Sequence, residues 1–261
     1  MKLYSKPGAC STADHIALQW TGQPFEVELL DKETLKGPAF LRINPAGAVP
    51  ALVDGDFVLL QNAAIMGYIA DTYPQAGLGG DGSPRQRAEA TRWLAFVNSD
   101  VHPAFSPLFS PGKFIADESQ YDAIRAAARK RLRGLFESAD AQLAGRQWLA
   151  GFRSFADPYF YITLRWAAGA KVDLSGLDNL AATVVEIGAA APSARLNILA
   201  GDGTRLLATT WGETLSVLNL GTGVVLASEP YDDDPRWRDI PDRHLVEVDA
   251  HGVRLMPLER R

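Results

Sequence analysis

Residues 1 to about 76 alternate strand and helix signals, and the order of those signals restricts the fold more than any other feature of the chain. Met1–Tyr4 is a short apolar run with a strand look, Ala13–Trp20 is helical, and Phe25–Leu30 reads as a second strand. A crossover helix between them makes the two strands parallel. Ile43-Asn44-Pro45-Ala46-Gly47-Ala48-Val49-Pro50 is a loop rich in turn residues. Ala51–Val53 and Phe57–Leu60, joined by Asp54-Gly55-Asp56, read as a hairpin. Asn62 to Tyr73 is an apolar helix ended by Pro74. The resulting βαβ–ββα order predicts a mixed sheet covered by helices.

A linker, Gly77-Leu78-Gly79-Gly80-Asp81-Gly82-Ser83-Pro84, closes this section. It ends in a helix start, with Ser83 as N-cap, Pro84 at N1 and Gln86 at N3. The second section, about 85–190, is helical. Its expected elements are a long helix Arg85–Phe109 bent near Pro103, a helix Ser119–Leu143 capped at Ser119 with Asp122, and a helix after the cap Ser154-Phe155-Ala156-Asp157. Tyr159, Tyr161, Leu164 and Trp166 read as core. The third section, about 195–261, consists of short strand-like runs: Leu196–Ala200, Arg205–Trp211, Leu215–Leu220, Val224–Ser228, Leu245–Val248 and Val253–Leu258. The expected fold class is therefore α/β plus all-α with an appended β segment. The expected domains are 1–76, 85–190 and 195–261.

A chain of 261 residues can bury a substantial core without a disulfide or metal staple. One cysteine excludes an internal disulfide and a cysteine-rich zinc site, and His15, His102, His244 and His251 show no ligand spacing, so no metal is expected. Arg125, Arg129, Lys130, Arg131 and Arg133 look like a nucleic-acid patch in isolation. Their acidic neighbours and the net charge of −5 read them instead as a solvated helix face. No signal peptide and no run long enough to span a bilayer is present, so no membrane partner and a cytoplasmic location are expected.

Three features of the first section carry chemistry. Cys10-Ser11 falls where a helix begins, and the free N–H groups and dipole of a first helical turn favour a sulfur anion. A lone cysteine is equally well a small buried hydrophobe. Val49-Pro50, with a cis bond, turns the Val49 backbone outward to pair with an extended peptide-like ligand. Gln61-Asn62 opens another helix, where N–H groups and an amide suit a carboxylate, or serve only as a cap. Around one groove, the three describe a site for a small peptide with a thiol and free carboxylates.

On the stretches KPGACS (6–11), INPAGAVPAL (43–52), LLQNAAIMGYIAD (59–71), WLAFVNSDVHPAFSPLF (93–109) and SFADPYFYITLRWA (154–167), the first 182 or so residues resemble a bacterial beta-class glutathione S-transferase. The resemblance implies a thioredoxin-like domain, an all-helical domain, glutathione as co-substrate, a small electrophile as its partner and a homodimer. It places Cys10 beside the glutathione sulfur, able to form a mixed disulfide, with Ser11 donating to the thiolate. Val49, before Pro50, would pair with the tripeptide backbone, and Gln61 and Asn62 would hold the γ-glutamyl end. His102, with Ser99 nearby, would reach the thiol from the helical domain. Read without the resemblance, His102 is a helix histidine satisfied by a backbone carbonyl.

The chain departs from the pattern at Ser5, where many relatives have tyrosine, at Pro103, where a lysine can occur, and at Asn62, which replaces serine or glycine. No lysine in Lys32–Lys36 aligns securely with the family's glutathione-binding lysine. The larger departure is the tail. RLNILAGDGTRLLATTWGETLS (195–216), VVLASEPYDDDPRWRDIPDRHLVEVD (224–249) and GVRLMPL (252–258) resemble the C-terminal end of a class II glutamine amidotransferase of the ergothioneine-pathway type. That family's nucleophile is a cysteine at the mature N-terminus, and position 2 here is Lys2, so the tail is expected to carry no amidotransferase chemistry. Natural fusion, rearranged gene and artificial chimera all remain open. A partial β fold leaves edges and apolar faces to cover, and a small antiparallel sheet is expected. The competing functional readings are a glutathione transferase and a non-catalytic module that binds glutathione or dimerises.

Overall fold

The structure is a computed structural model that describes residues 1–180, 199–201, 206–210, 214–221, 223–227, 232–249 and 252–257. The chain divides into two compact units, Met1–Leu164 and Arg165–Arg261.

The first unit opens as the strand–helix alternation predicts. Strands β1 (Lys2–Ser5), β2 (Glu26–Leu29), β3 (Ala51–Asp54) and β4 (Phe57–Leu60) form one sheet in the order β2-β1-β3-β4. β1 and β2 run parallel, and the β3–β4 hairpin is antiparallel. Helix α1 (Ser11–Thr21) makes the crossover. It ends at Gly22, whose φ of 68° lets its N–H bond back to Gln19. A one-turn helix α2 (Pro38–Leu41) precedes the turn-rich loop, and helix α3 (Asn62–Thr72) follows β4. Leu3, Leu52, Ile16, Ile65 and Ile69 are buried, which gives the N-terminal part a core of its own.

The helical part begins with α4 (Pro84–Ala95), where Ser83 Oγ accepts the Gln86 N–H at 3.3 Å as its capping sequence predicts. The single helix expected to reach Phe109 is instead broken into a π-helical turn Phe96–Val101, α5 (His102–Ala104) and α6 (Ser106–Phe109). Pro103 and Pro107 have no N–H to give to the preceding turn, so the ladder resets rather than bends. Helix α7 (Tyr121–Leu143) is preceded by a 3-10 turn capped by Asp117, not Ser119. The Asp117 carboxylate accepts from Ser119 N–H at 3.0 Å and Ser119 Oγ at 2.7 Å, because a carboxylate two residues earlier outcompetes a hydroxyl already bound to it. Ala128, Leu132, Phe136, Ala139 and Leu143 make the buried stripe of α7. On its wet side Arg125 pairs with Asp122 and Arg133 with Glu137, as befits a solvated face.

Helix α8 (Ala156–Gly169) starts at a buried polar knot. The Asp157 carboxylate accepts from Ser154 N–H at 2.8 Å, Ser154 Oγ at 2.8 Å and Leu149 N–H at 3.0 Å. Burial nonetheless pushes its carboxyl up to about 6.

In the second unit the described strands form two antiparallel sheets rather than the one expected. One joins β5 (Leu199–Gly201), β6 (Leu206–Thr210), β10 (His244–Asp249) and β11 (Gly252–Pro257) in the order β11-β10-β6-β5. The other joins β7 (Ser216–Asn219), β8 (Val224–Ala227) and β9 (Arg238–Asp239) in the order β8-β7-β9. Ala208, Leu215, Ile240, Val246 and Val248 form one apolar cluster, with Val217, Val224, Leu226 and Val253 packed on it. That cluster covers several of the apolar positions a partial β fold would leave open. The end of the helical section near 190 and the break at Ala191–Asn197 lie outside the described residues, as do Arg205, Trp211, Ser228 and Leu258. No helix among the described residues is long and apolar enough to cross a membrane.

Candidate functional site

The crossover geometry brings the loop after β1, the loop before β3 and the start of α3 to one end of the sheet. Cys10 stands at the N-cap of α1. Its Sγ lies 3.8 Å from the Val49 carbonyl oxygen, and the Val49–Pro50 peptide is cis. Asn62 Nδ2 donates to the Cys10 carbonyl at 2.9 Å. The three sequence features thus meet around one thiol.

Each site residue has a definite setting. Ser11 is fully buried, and its hydroxyl accepts from the Lys6 N–H at 3.1 Å and the Ser5 hydroxyl at 2.9 Å. Ser5, where tyrosine is usual in the resembling family, therefore anchors Ser11. Pro50 is buried and Val49 half-buried. Gln61 is exposed, caps α3 and holds a φ of 75°, unusual for a residue with a side chain. Asn62 is buried, with its amide nitrogen turned to Cys10 and its Oδ1 without a partner. Ser99 is exposed on the π-helical turn.

His102 begins α5, and its Nδ1 lies 2.5 Å from the Tyr159 hydroxyl on α8. That hydroxyl is also 3.4 Å from Asn98 Oδ1. Burial lowers the His102 pKa, so its ring favours the neutral form. Burial first, and then the charges of Cys10 and Asp14, raise the Tyr159 hydroxyl above the ordinary phenol range. Those two couplings place Tyr159 in the electrostatic neighbourhood of the thiol. Tyr159 reads from sequence as core, and at 1% exposure it is core. Its polar end gives no signal in the sequence.

The thiol itself departs from the sequence expectation. Burial, and after it the charge of Asp14, pushes Cys10 up to about 11, although the Asn62 amide and the Ser11 N–H pull the other way. Desolvation of the sulfur anion outweighs the helix terminus. Asp14 is itself fully buried, four residues along α1, with neither carboxyl oxygen hydrogen-bonded.

A lysine the sequence left unplaced also comes into view. Lys36 Nζ donates to the Gly47 carbonyl at 3.0 Å and the Ala46 carbonyl at 3.4 Å, beside the Val49 edge. Gly47 has a φ of 57°, and a Cβ there would stand 2.8 Å from that nitrogen. Among the described residues no cluster of histidine, cysteine or carboxylates has the makings of a metal site.

This architecture has relatives. The glutathione S-transferase N-terminal domain family matches residues 1–71. A glutathione S-transferase of Xanthomonas campestris is 55% identical over 181 residues, spanning 69% of this chain and 89% of the relative. The chain belongs to the glutathione S-transferase family. As a glutathione S-transferase it is a transferase enzyme, with a thioredoxin-like N-terminal domain and a helical domain. A sphingomonad glutathione S-transferase solved in complex with glutathione superposes with a TM-score of 0.63 at 37% identity, covering 74% of this chain and 98% of that one. The tail has a different relative. A gamma-glutamyl-hercynylcysteine sulfoxide hydrolase of Mycobacterium tuberculosis is 63% identical over 91 residues, 35% of this chain, and the likeness lies in the C-terminal part. The chain spans only 39% of that hydrolase's length.

Proposed function

We propose that this transferase binds glutathione along the Val49 edge and the start of α3, with its sulfur beside Cys10, and adds that sulfur as thiolate to small apolar electrophiles. The observation that carries this reading is the meeting of the Cys10 thiol, the Val49 carbonyl at 3.8 Å and the Asn62 amide on Cys10 at 2.9 Å. The Val49 backbone would pair with the tripeptide, and Gln61 with the first N–H groups of α3 would hold the γ-glutamyl carboxylate. Lys36 would hold the other carboxylate. His102 would close the thiol region from the helical side, oriented by the Tyr159 hydroxyl, which Asn98 also meets. Ser11 would donate its own proton, left over after it accepts twice, to the sulfur, and Ser99 would line the outer rim.

Cys10 would further exchange with glutathione disulfides. A thiol pushed up to about 11 holds little thiolate at neutral pH, so this exchange needs a group that takes up the Cys10 proton as the sulfur attacks. The beta class, a homodimer and a cytoplasmic location complete the proposal, with domains at 1–76, 85–190 and 195–261. The tail, which matches only 39% of the hydrolase's length, would be a structural addition derived from a hydrolase end by fusion.

Glutathione affinity and conjugation to a reactive aromatic halide test this reading in the wild type and in Cys10→Ala, Ser11→Ala and His102→Ala. Binding with turnover, reduced in His102→Ala, is expected. Tight binding with no turnover in any form would favour the non-catalytic module, and absence of binding would refute the site. Intact mass after incubation with oxidised glutathione tests exchange at Cys10.

A further inference from the structure

One buried ionisable group has no part in the site as described. Asp14 lies four residues after Cys10 on α1, so the two side chains share one face of the helix a single turn apart. Its side chain is wholly enclosed, and neither oxygen finds a hydrogen-bond donor. A carboxyl buried without partners is costly, and native structures rarely keep one without use.

The charged groups of the elements packed on α1 point elsewhere. Lys2 on β1 pairs with Glu28 at 2.7 Å. On α3, Tyr68 donates to Asp54 at 2.8 Å and Asp71 pairs with Arg87 at 3.0 Å. Asp14 shares its helix face with Cys10 one turn away, and its negative charge, when present, is felt at the Cys10 thiol and at the Tyr159 hydroxyl of α8. Burial holds the Asp14 carboxyl well above the ordinary carboxylate range. A carboxyl so held keeps its proton where an exposed aspartate has lost it, which suits it to give a proton away.

We propose that Asp14 is the proton donor to Cys10 when a Cys10–glutathione mixed disulfide is broken by a second glutathione. This rests on the reading that Cys10 exchanges with glutathione. In the step, an incoming glutathione thiolate attacks the glutathione sulfur of the mixed disulfide. A new S–S bond forms between the two glutathione sulfurs, and the bond to Cys10 Sγ breaks. The electron pair of the broken bond goes to Cys10, which is reduced, while the attacking thiolate is oxidised. The Asp14 carboxyl proton passes to the departing Cys10 sulfur, and the product is oxidised glutathione and the thiol. In the reverse direction the Asp14 carboxylate takes the Cys10 proton as the thiol attacks oxidised glutathione. The need for a donor follows from the setting of the sulfur. A thiolate leaving into a site that holds its thiol up to about 11 is a poor leaving group unless it is protonated as it departs.

The test uses the full-length protein glutathionylated at Cys10 with oxidised glutathione, and follows release by reduced glutathione through intact mass from pH 5.5 to 9.5. Asp14→Asn keeps the shape and removes the proton. Its release rate is expected to be about tenfold or more below wild type at the acidic end of that range. It should then rise steadily with the glutathione thiolate, whereas the wild-type rate passes through a maximum. A variant equal to wild type across the range overturns the proposal. A faster variant overturns it too, since a charge that merely opposes the thiolate would speed release when removed. If Asp14→Asn does not fold, Asp14→Ser and the wild-type profile decide. A wild-type rate that only tracks the glutathione thiolate refutes the donor role. Wild type that takes up no glutathione at any pH overturns the exchange reading and the donor together, while normal uptake with an unaltered variant overturns the donor alone.

Discussion

Replacing Asp157 with alanine should destabilise the protein by an amount that grows as the pH falls, contrary to the usual behaviour of a native carboxylate. Two terms set the size. The first is the loss of an acceptor: the buried Leu149 and Ser154 N–H groups, at 3.0 and 2.8 Å from the carboxylate, are left unpaired. Each such group costs about 1–3 kcal/mol, so the substitution costs about 2–6 kcal/mol on this term alone. The second term is protonation. Burial raises the folded carboxyl from 3.8 to about 6 despite its three hydrogen bonds. A pKa raised in the native state contributes stability that is fully present below the unfolded value, near 3.8, and lost as the pH rises through about 6. A rise of about two pH units, at about 1.36 kcal/mol each, makes this contribution about 2–3 kcal/mol. Alanine abolishes it. The difference in stability between wild type and Asp157→Ala should therefore be about 2 kcal/mol larger at pH 4, where most of it is present, than at pH 8. Urea unfolding followed by far-UV circular dichroism at a series of pH values measures it, since other titrating groups cancel in the comparison. A cost that is constant with pH, or larger at pH 8, would refute the account of burial outweighing the cap's hydrogen bonds.

Thiolate absorbance at 240 nm, with Cys10→Ser as the blank, should titrate Cys10 with a midpoint of about 11 in the ligand-free protein; complete ionisation by pH 9 would contradict the buried setting. Gly47→Ala introduces a Cβ 2.8 Å from Lys36 Nζ at a φ of 57°. It should lower stability by about 1 kcal/mol or more, and weaken glutathione binding by displacing Lys36, both read by thermal unfolding with and without glutathione. Ser83→Ala removes the acceptor for the Gln86 N–H and should cost about 1 kcal/mol, with little change in conjugation rate.

The N-terminal fold was legible because its rules are local. The short apolar runs at Met1–Tyr4 and Phe25–Leu30 and the Asp54-Gly55-Asp56 turn each name an element without reference to the rest of the chain, as the Ser83-Pro84 cap does for the first helix of the helical part. The grouping of Cys10, Val49-Pro50 and Asn62 was legible for the same reason, since each sits at an element boundary that the sheet order brings together. What the sequence concealed depends on space. Tyr159 has the spacing of a core residue, and only the fold shows its hydroxyl against His102. Asp14 looks like an ordinary first-turn acid on a helix, favourable to the dipole. Its enclosure, and its hold on the Cys10 thiol, come from packing on α1 that no periodicity reports. The Asp117 cap and the π-helical turn were missed because a nearer carboxylate and two prolines overrode a plausible pattern.

The polar knot at the start of α8 and the hydroxyl that meets His102 are only two residues apart, Asp157 and Tyr159, about 3 Å along the helix axis. The carboxyl that anchors the buried start of α8 thus also fixes the turn that aims the Tyr159 hydroxyl at His102 and Asn98. A defect in the cap is therefore a defect in the site, and Asp157→Ala should lower conjugation as well as stability.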